Sequence, residues 1–316
     1  MSTKITVIGA GSVGSAITND IMVQGIASEV VLIDVNKEKA MGEALDIYQG
    51  APFCSPAIIR PGDYEDAAGS QIVIITSGVP RKPGQSRLEL AQTNVNILKD
   101  ITPKITKYAP DAIYIIVSNP VDILTYVFTK ISGIPENRIL GSGTVLDTSR
   151  LQSELARRFH ISPKNVHAHV YGEHGDSAFI PWSLATVTNN KIDDYKNHVT
   201  TIRPIQWEAG DHAVVEEFVK KSGAQVIKSK GATFYAVAIS VCHICKCILN
   251  GSGTALTVST MMHGEYGVDD VCLSALALVG SEGVQTKITT PLTPEETQKM
   301  QASAQKLREI IDGLEI

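Results

Sequence analysis

The chain has 316 residues, more than one hydrophobic core usually organises, so two closely packed domains are expected. Hydrophobic residues make up 43% and charged residues 19%, ordinary globular usage that excludes a disordered chain. A formal net charge of −5 leaves no basic excess for nucleic acid or an anionic membrane, and no apolar run approaches a membrane span.

The N-terminus passes from Met1-Ser2-Thr3-Lys4 straight into Ile5-Thr6-Val7-Ile8-Gly9. That stretch is too short for a signal-peptide core, so a cytoplasmic protein is expected. Residues 5–8, 30–33, 72–75 and 113–117 are short β-branched runs that read as strands apolar on both faces. Between them, residues 12–24, 38–48 and 88–107 read as helices. Alternation of this kind predicts a parallel sheet covered on both sides. Residues 138–141 would add a last strand. From about residue 144 helices dominate, with β-type stretches near 166–170 and 255–261. The expected division is therefore residues 1–143 and 144–316.

The first strand runs into Gly9-Ala10-Gly11-Ser12-Val13-Gly14, a G-x-G-x-x-G turn that opens a helix. Gly9 permits the tight turn, Gly11 lets the backbone approach a pyrophosphate, and Gly14 allows close helix–strand packing. The pyrophosphate would rest on amides at the positive end of the helix. The second strand ends at Asp34, twenty residues past Gly14, where a carboxylate accepts from ribose hydroxyls and repels a 2′-phosphate. NAD is thus expected over NADP.

Further along, Gly78-Val79-Pro80-Arg81-Lys82-Pro83-Gly84-Gln85-Ser86-Arg87 is too rich in Gly and Pro for regular structure. Arg81, Arg87, Asn119, Asp147, Arg150 and His174 are polar groups that a buried sheet edge has little structural reason to hold. The five cysteines, an odd number, suggest no disulfide framework. Cys242-His243-Ile244-Cys245-Lys246-Cys247 has the look of a metal motif, but residues 233–249 read as a buried helix. Cys242 and Cys245 would share a face, Cys247 would point elsewhere, and no second Cys/His pair follows at finger spacing. Structural cysteines and no metal site are expected. The chain ends in a helix begun by Thr293-Pro294-Glu295-Glu296, with Met300, Leu307, Ile310, Ile311 and Leu314 on one face.

Gly9 to Gly14, Ser118-Asn119-Pro120, Leu146-Asp147-Thr148-Ser149-Arg150 and Gly172-Glu173-His174-Gly175-Asp176-Ser177 occur in one order along the chain. With these stretches the chain resembles the L-lactate/malate dehydrogenase family over essentially its whole length. The resemblance implies a Rossmann doubly wound domain, an α+β catalytic domain, and a homodimer or homotetramer that interconverts a 2-hydroxy acid and its 2-keto acid with NAD. It implies His174 as acid/base, Asp147 as the partner of its other ring nitrogen, and Arg150 as a two-pronged clamp on the substrate carboxylate. Arg87 would polarise the carbonyl, Asn119 would touch substrate and nicotinamide ribose, and Thr233 would line the substrate pocket. Gly78, Val13 and Val117 join the expected cofactor contacts, and the segment holding Arg81 would act as a lid.

The motifs divide on the substrate. Most of the body, including Lys230-Gly231-Ala232-Thr233, resembles bacterial lactate dehydrogenases, whereas Arg81 stands where lactate enzymes usually carry Gln and malate enzymes carry Arg, and Gln85 stands where lactate enzymes usually carry Glu. A second substrate carboxylate needs a partner when buried, and Arg81 offers a bidentate one. Malate/oxaloacetate is therefore the expectation, with L-lactate/pyruvate as the alternative. A non-catalytic NAD-binding sensor is a remote third reading, since drift away from catalysis would erode the active-site residues first. Related bacterial enzymes bind fructose 1,6-bisphosphate through an Arg two positions after the clamping Arg and an upstream His. Here His167 is present but Gln152 replaces the Arg, so no strong activation is expected.

Overall fold

A strand with no polar side chain on either face must be covered on both, and that requirement organises the first half of the molecule. The computed structural model describes residues 3–80, 84, 86–200, 205, 207–208 and 210–316. In chain order the first half contains β1 (Lys4–Ile8), α1 (Ser12–Val23), β2 (Glu29–Ile33), α2 (Lys37–Tyr48), β3 (Ile58–Pro61), β4 (Ile72–Ile75), α3 (Arg87–Tyr108), β5 (Ile113–Ile116), α4 (Val121–Ile131) and β6 (Ile139–Gly141). The second half contains α5 (Val145–Phe159), β7 (Val166–His167), β8 (Thr186–Val187), β9 (Asn190–Lys191), α6 (Asp211–Lys230), α7 (Tyr235–Leu249), β10 (Thr254–His263), β11 (Asp269–Gly280), β12 (Gly283–Lys287) and α8 (Pro294–Ile311).

Six parallel strands run in the order β3-β2-β1-β4-β5-β6, the arrangement of a dinucleotide-binding Rossmann sheet. The order reverses between β1 and β4, so the crevice for a ligand opens at the carboxyl ends of those strands. The antiparallel β10, β11 and β12 continue the same sheet beyond β6, joined through Ser259 opposite Gly141. A separate three-stranded sheet is formed by β7, β8 and β9.

One core fills the face covered by α3, α4 and α8, and a second fills the face covered by α1 and α7. A third core gathers α5, α6 and the small sheet around the fully buried Trp207. The strand expected over 166–170 shrinks to the two residues of β7, while β11 and β12 form where no strand was expected. β11 reads Asp-Asp-Val-Cys-Leu-Ser-Ala-Leu-Ala-Leu-Val-Gly, whose small and unbranched residues carry little intrinsic strand preference. Its register against β10, from Thr254 opposite Val279 to Met261 opposite Cys272, supplies what composition lacks. Among the described residues no helix is long and apolar enough to cross a membrane.

Candidate active site

The glycine-rich turn is shaped by two collisions it avoids. Gly9 sits at φ +108°, and a Cβ there would lie 2.6 Å from Thr76 Oγ1. A Cβ on Gly14 would run into the Gly9 carbonyl, so α1 can lie this close to β1 only with glycine. At Gly11 the same construction meets nothing within 4 Å, which leaves open space for a ligand. Thr76 at the end of β4 braces the turn by donating to the carbonyls of Ile8 and Gly9 at 3.0 and 3.1 Å.

A cavity of about 840 Å³ opens beside this turn and includes Gly9, Gly11, Asp34, Tyr64, Ser77, Gly78 and Val79 in its wall. Asp34 accepts from the Ala10 amide at 2.6 Å through one oxygen and from the Asn36 amide at 2.8 Å through the other. Each carboxylate oxygen keeps a lone pair for a ribose hydroxyl. An open glycine, a helix N-terminus and a carboxylate along one cavity fit a dinucleotide. Of the other expected contacts, Val13 packs against the core from α1 and Val117 is buried just past β5.

A second group of polar side chains lies where α4, α5 and the segment after β7 meet. His174 Nδ1 lies 2.5 Å from Asp147 Oδ2, and Arg150 Nη1 donates to Asp147 Oδ1 at 2.8 Å. Both Asp147 and Arg150 belong to the first turns of α5, which places them on adjoining faces of one rigid helix. Burial alone would raise the Asp147 carboxyl, but His174 and then Arg150 outweigh it and hold it below the usual carboxylate range. His174 is pushed up to about 9, chiefly by the Asp147 charge, against the opposing effect of burial. With Nδ1 engaged, Nε2 is the ring nitrogen left to exchange a proton.

Two carboxylates beyond the expected set support this centre. Asp122, in the first turn of α4, accepts from the His174 amide at 2.8 Å and from Ser259 Oγ at 2.5 Å. It is buried, and that burial lifts its carboxyl to about 6 despite both bonds. Asp176 pairs with Arg87, the first residue of α3, at an exposed edge of the site. Asp176 stood inside the Gly172-to-Ser177 motif, whereas Asp122 lies outside the Ser118-Asn119-Pro120 motif and no sequence signal marked it.

Asn119 sits just past β5, its carbonyl held by Asn94 Nδ2 at 2.7 Å. Asn94, which no local motif marked, also pairs with Val79, in the segment after β4. Thr233 lies half-buried in the turn between α6 and α7 and, among the described residues, makes no hydrogen bond to the His174 group. Arg81 and Gln85 fall outside the described residues. The cysteines of α7 are buried, Cys242 against the Ile17 carbonyl and Cys247 beside His243 Nε2, 3.8 Å away in each case. Among the described residues, no three His, Cys, Asp or Glu side chains are grouped so as to hold a metal.

Residues 3–141 match the lactate/malate dehydrogenase, NAD binding domain family, and residues 144–315 match the lactate/malate dehydrogenase, alpha/beta C-terminal domain family. An L-lactate dehydrogenase of Clostridium botulinum is 45% identical over 312 residues, covering 99% of this chain and 97% of that protein. L-lactate dehydrogenase 1 of Clostridium acetobutylicum is 45% identical over 313 residues and covers 99% of each. Among solved structures, the minor L-lactate dehydrogenase from Enterococcus mundtii in its ligands-bound form superposes with a TM-score of 0.94. It shares 37% identity, over 100% of this chain and 99% of that one. A lactate dehydrogenase enzyme from a Medee basin deep-sea metagenome library also gives 0.94, at 34% identity over 99% of both chains.

Proposed function

The chain belongs to the lactate/malate dehydrogenase family, and from that premise we propose that it reduces pyruvate to L-lactate with NADH, reversibly. The observation that carries the reading is the His174–Asp147–Arg150 group, an imidazole with one nitrogen fixed on a carboxylate and a guanidinium beside it.

The nicotinamide, when bound, supplies the hydride that goes to the carbonyl carbon. His174 gives its Nε2 proton to the carbonyl oxygen and takes it back in the reverse direction. Asp147 keeps the ring in the tautomer that presents Nε2 and stabilises the imidazolium. Arg150 holds the C1 carboxylate and so sets which face of the keto group is presented. Arg87 leaves Asp176 for the carbonyl oxygen, where charge develops. Asn119 orients substrate and ribose, Thr233 lines the pocket, and Gly9, Gly11, Val13, Gly14, Asp34, Gly78 and Val117 hold the cofactor. We assign residues 1–143 to cofactor binding and 144–316 to the substrate, and we place the protein in the cytoplasm, with its nicotinamide pool.

Relatives named L-lactate dehydrogenase support the pyruvate/L-lactate pair. The preference for oxaloacetate drawn from the sequence rests on Arg81, with the neutral Gln85 as lesser support, and it stands as the second reading because the body of the chain points the other way. Comparison of kcat/KM for pyruvate and oxaloacetate with NADH decides between the two. In either case Arg81→Gln should lower the value for oxaloacetate relative to pyruvate by on the order of a hundredfold or more, since breaking a buried charge pair costs about 3–5 kcal/mol. An unchanged ratio would mean that Arg81 does not meet the second carboxylate.

We also infer a homodimer or homotetramer. Met41, Leu45 and Tyr48 on α2 and Tyr235 and Ile239 on α7 are apolar and exposed, on the two helices that flank α1. Apolar stripes of that extent mark contact surfaces.

A further inference from the structure

A polar side chain on the apolar stripe of a helix needs a reason, because an amide buried without partners costs free energy. Asn94 is such a residue. It lies on α3 among the buried Ala91, Val95 and Leu98 and is itself 1% exposed. Its Oδ1 accepts from the Val79 amide at 2.9 Å. Its Nδ2 donates to the Val79 carbonyl at 3.2 Å and to the Asn119 carbonyl at 2.7 Å. We propose that Asn94 is a positioning residue that fastens Val79, in the segment after β4, and the Asn119 backbone to the helix that carries Arg87.

The geometry admits few substitutes. The paired bonds to Val79 use one acceptor and one donor of a planar amide, as a neighbouring strand would. The third bond uses the remaining donor hydrogen. Asp has no donor for the two carbonyls, and Leu has the shape without the bonds. The chain also approaches the amide closely at Gly78, where a Cβ would lie 3.3 Å from Oδ1. Arg87 stands two turns upstream on the same helix, so α3 fixes three things together: the guanidinium, the Val79 backbone and the carbonyl of Asn119. The cofactor turn is braced separately, by Thr76 and by Asp34 on Ala10. Loss of Asn94 should therefore disturb catalytic geometry more than dinucleotide affinity.

This inference rests on the roles proposed above for Arg87 and Asn119, so wild-type protein is assayed first, with NADH and both pyruvate and oxaloacetate. Asn94→Leu and Asn94→Ser are then compared for kcat, keto-acid KM, NADH Kd by fluorescence, and Tm. Small misplacements of reacting groups cost up to about a hundredfold in rate, so a fall in kcat of about tenfold or more is expected, with a raised keto-acid KM. NADH Kd should rise by a clearly smaller factor than kcat falls, because Val79 borders the cofactor cavity while its glycine turn is braced elsewhere. Asn94→Ser removes the same bonds with less apolar bulk, and it carries the test if the Leu variant fails to fold. A folded variant with kcat and KM within about twofold of wild type overturns the proposal, as does an equal loss of NADH affinity and turnover. A wild type inactive on both keto acids overturns the functional reading instead.

Discussion

His174 is a histidine whose surroundings favour its charged form. In ordinary peptides its pKa lies near 6.5, so at neutral pH most molecules would have no proton to give. With Asp147 beside Nδ1 it rises to about 9, so in the proposed role the ring would enter reduction already protonated. The sign of the pH dependence follows. Reduction needs the imidazolium, so its kcat/KM should be level at lower pH and fall as pH rises through about 9, while oxidation of the hydroxy acid should rise over the same range. Asp147→Asn removes the charge and should bring that limb down toward the ordinary histidine value; a limb that stayed near 9 would show that another group titrates. The same shift bears on stability: a raised folded-state pKa contributes fully below about 6.5 and is lost as pH rises through about 9. His174, Asp147 and Arg150 were legible because short motifs carry them. Asp122 was not, because its bond to the His174 amide joins residues 52 apart, and only the folded sheet brings them together.

At the scale of elements, the parts that could be read were those with local physics behind them. α8 starts where Thr293 accepts from the Glu296 amide and Glu296 returns the bond, with Pro294 in the first turn. α3 starts the same way, Ser86 and Glu89 reciprocating on either side of Arg87, which anchors that side chain in a defined first turn. β4 and β5 are wholly buried, as their runs of β-branched and aromatic residues required. β11 and β12 depend on pairing with distant partners and left little trace in composition. The turn between β1 and α1 is the element on which cofactor binding depends most. Gly14→Ala should abolish NADH binding, because its methyl would meet the Gly9 carbonyl and drive α1 away from β1. Fluorescence titration with NADH checks this. Binding within about tenfold of wild type would show that the turn tolerates the displacement.

The nine-stranded sheet serves two tasks in the whole molecule. Its parallel part holds the dinucleotide cavity at the point where strand order reverses, and its antiparallel extension brings Ser259 to Asp122 and so supports His174 from behind. The proposed site, with Arg87, Asn119 and Asp122 from the first half and Asp147, Arg150 and His174 from the second, thus draws on both halves of the chain. The broad chemistry was still readable, because each contributing stretch has its own signature. The choice of keto acid was not, because Arg81 and the surrounding body point to different substrates. The central claim is that His174, poised on Asp147, supplies the proton for NADH-dependent reduction of a small 2-keto acid. It is tested most directly by following NADH consumption with pyruvate and with oxaloacetate for wild type and His174→Asn, with NADH affinity measured on both. The account predicts wild-type turnover of at least one keto acid and, in the variant, a loss of at least about a thousandfold with NADH still bound. Near-normal turnover by His174→Asn would contradict it.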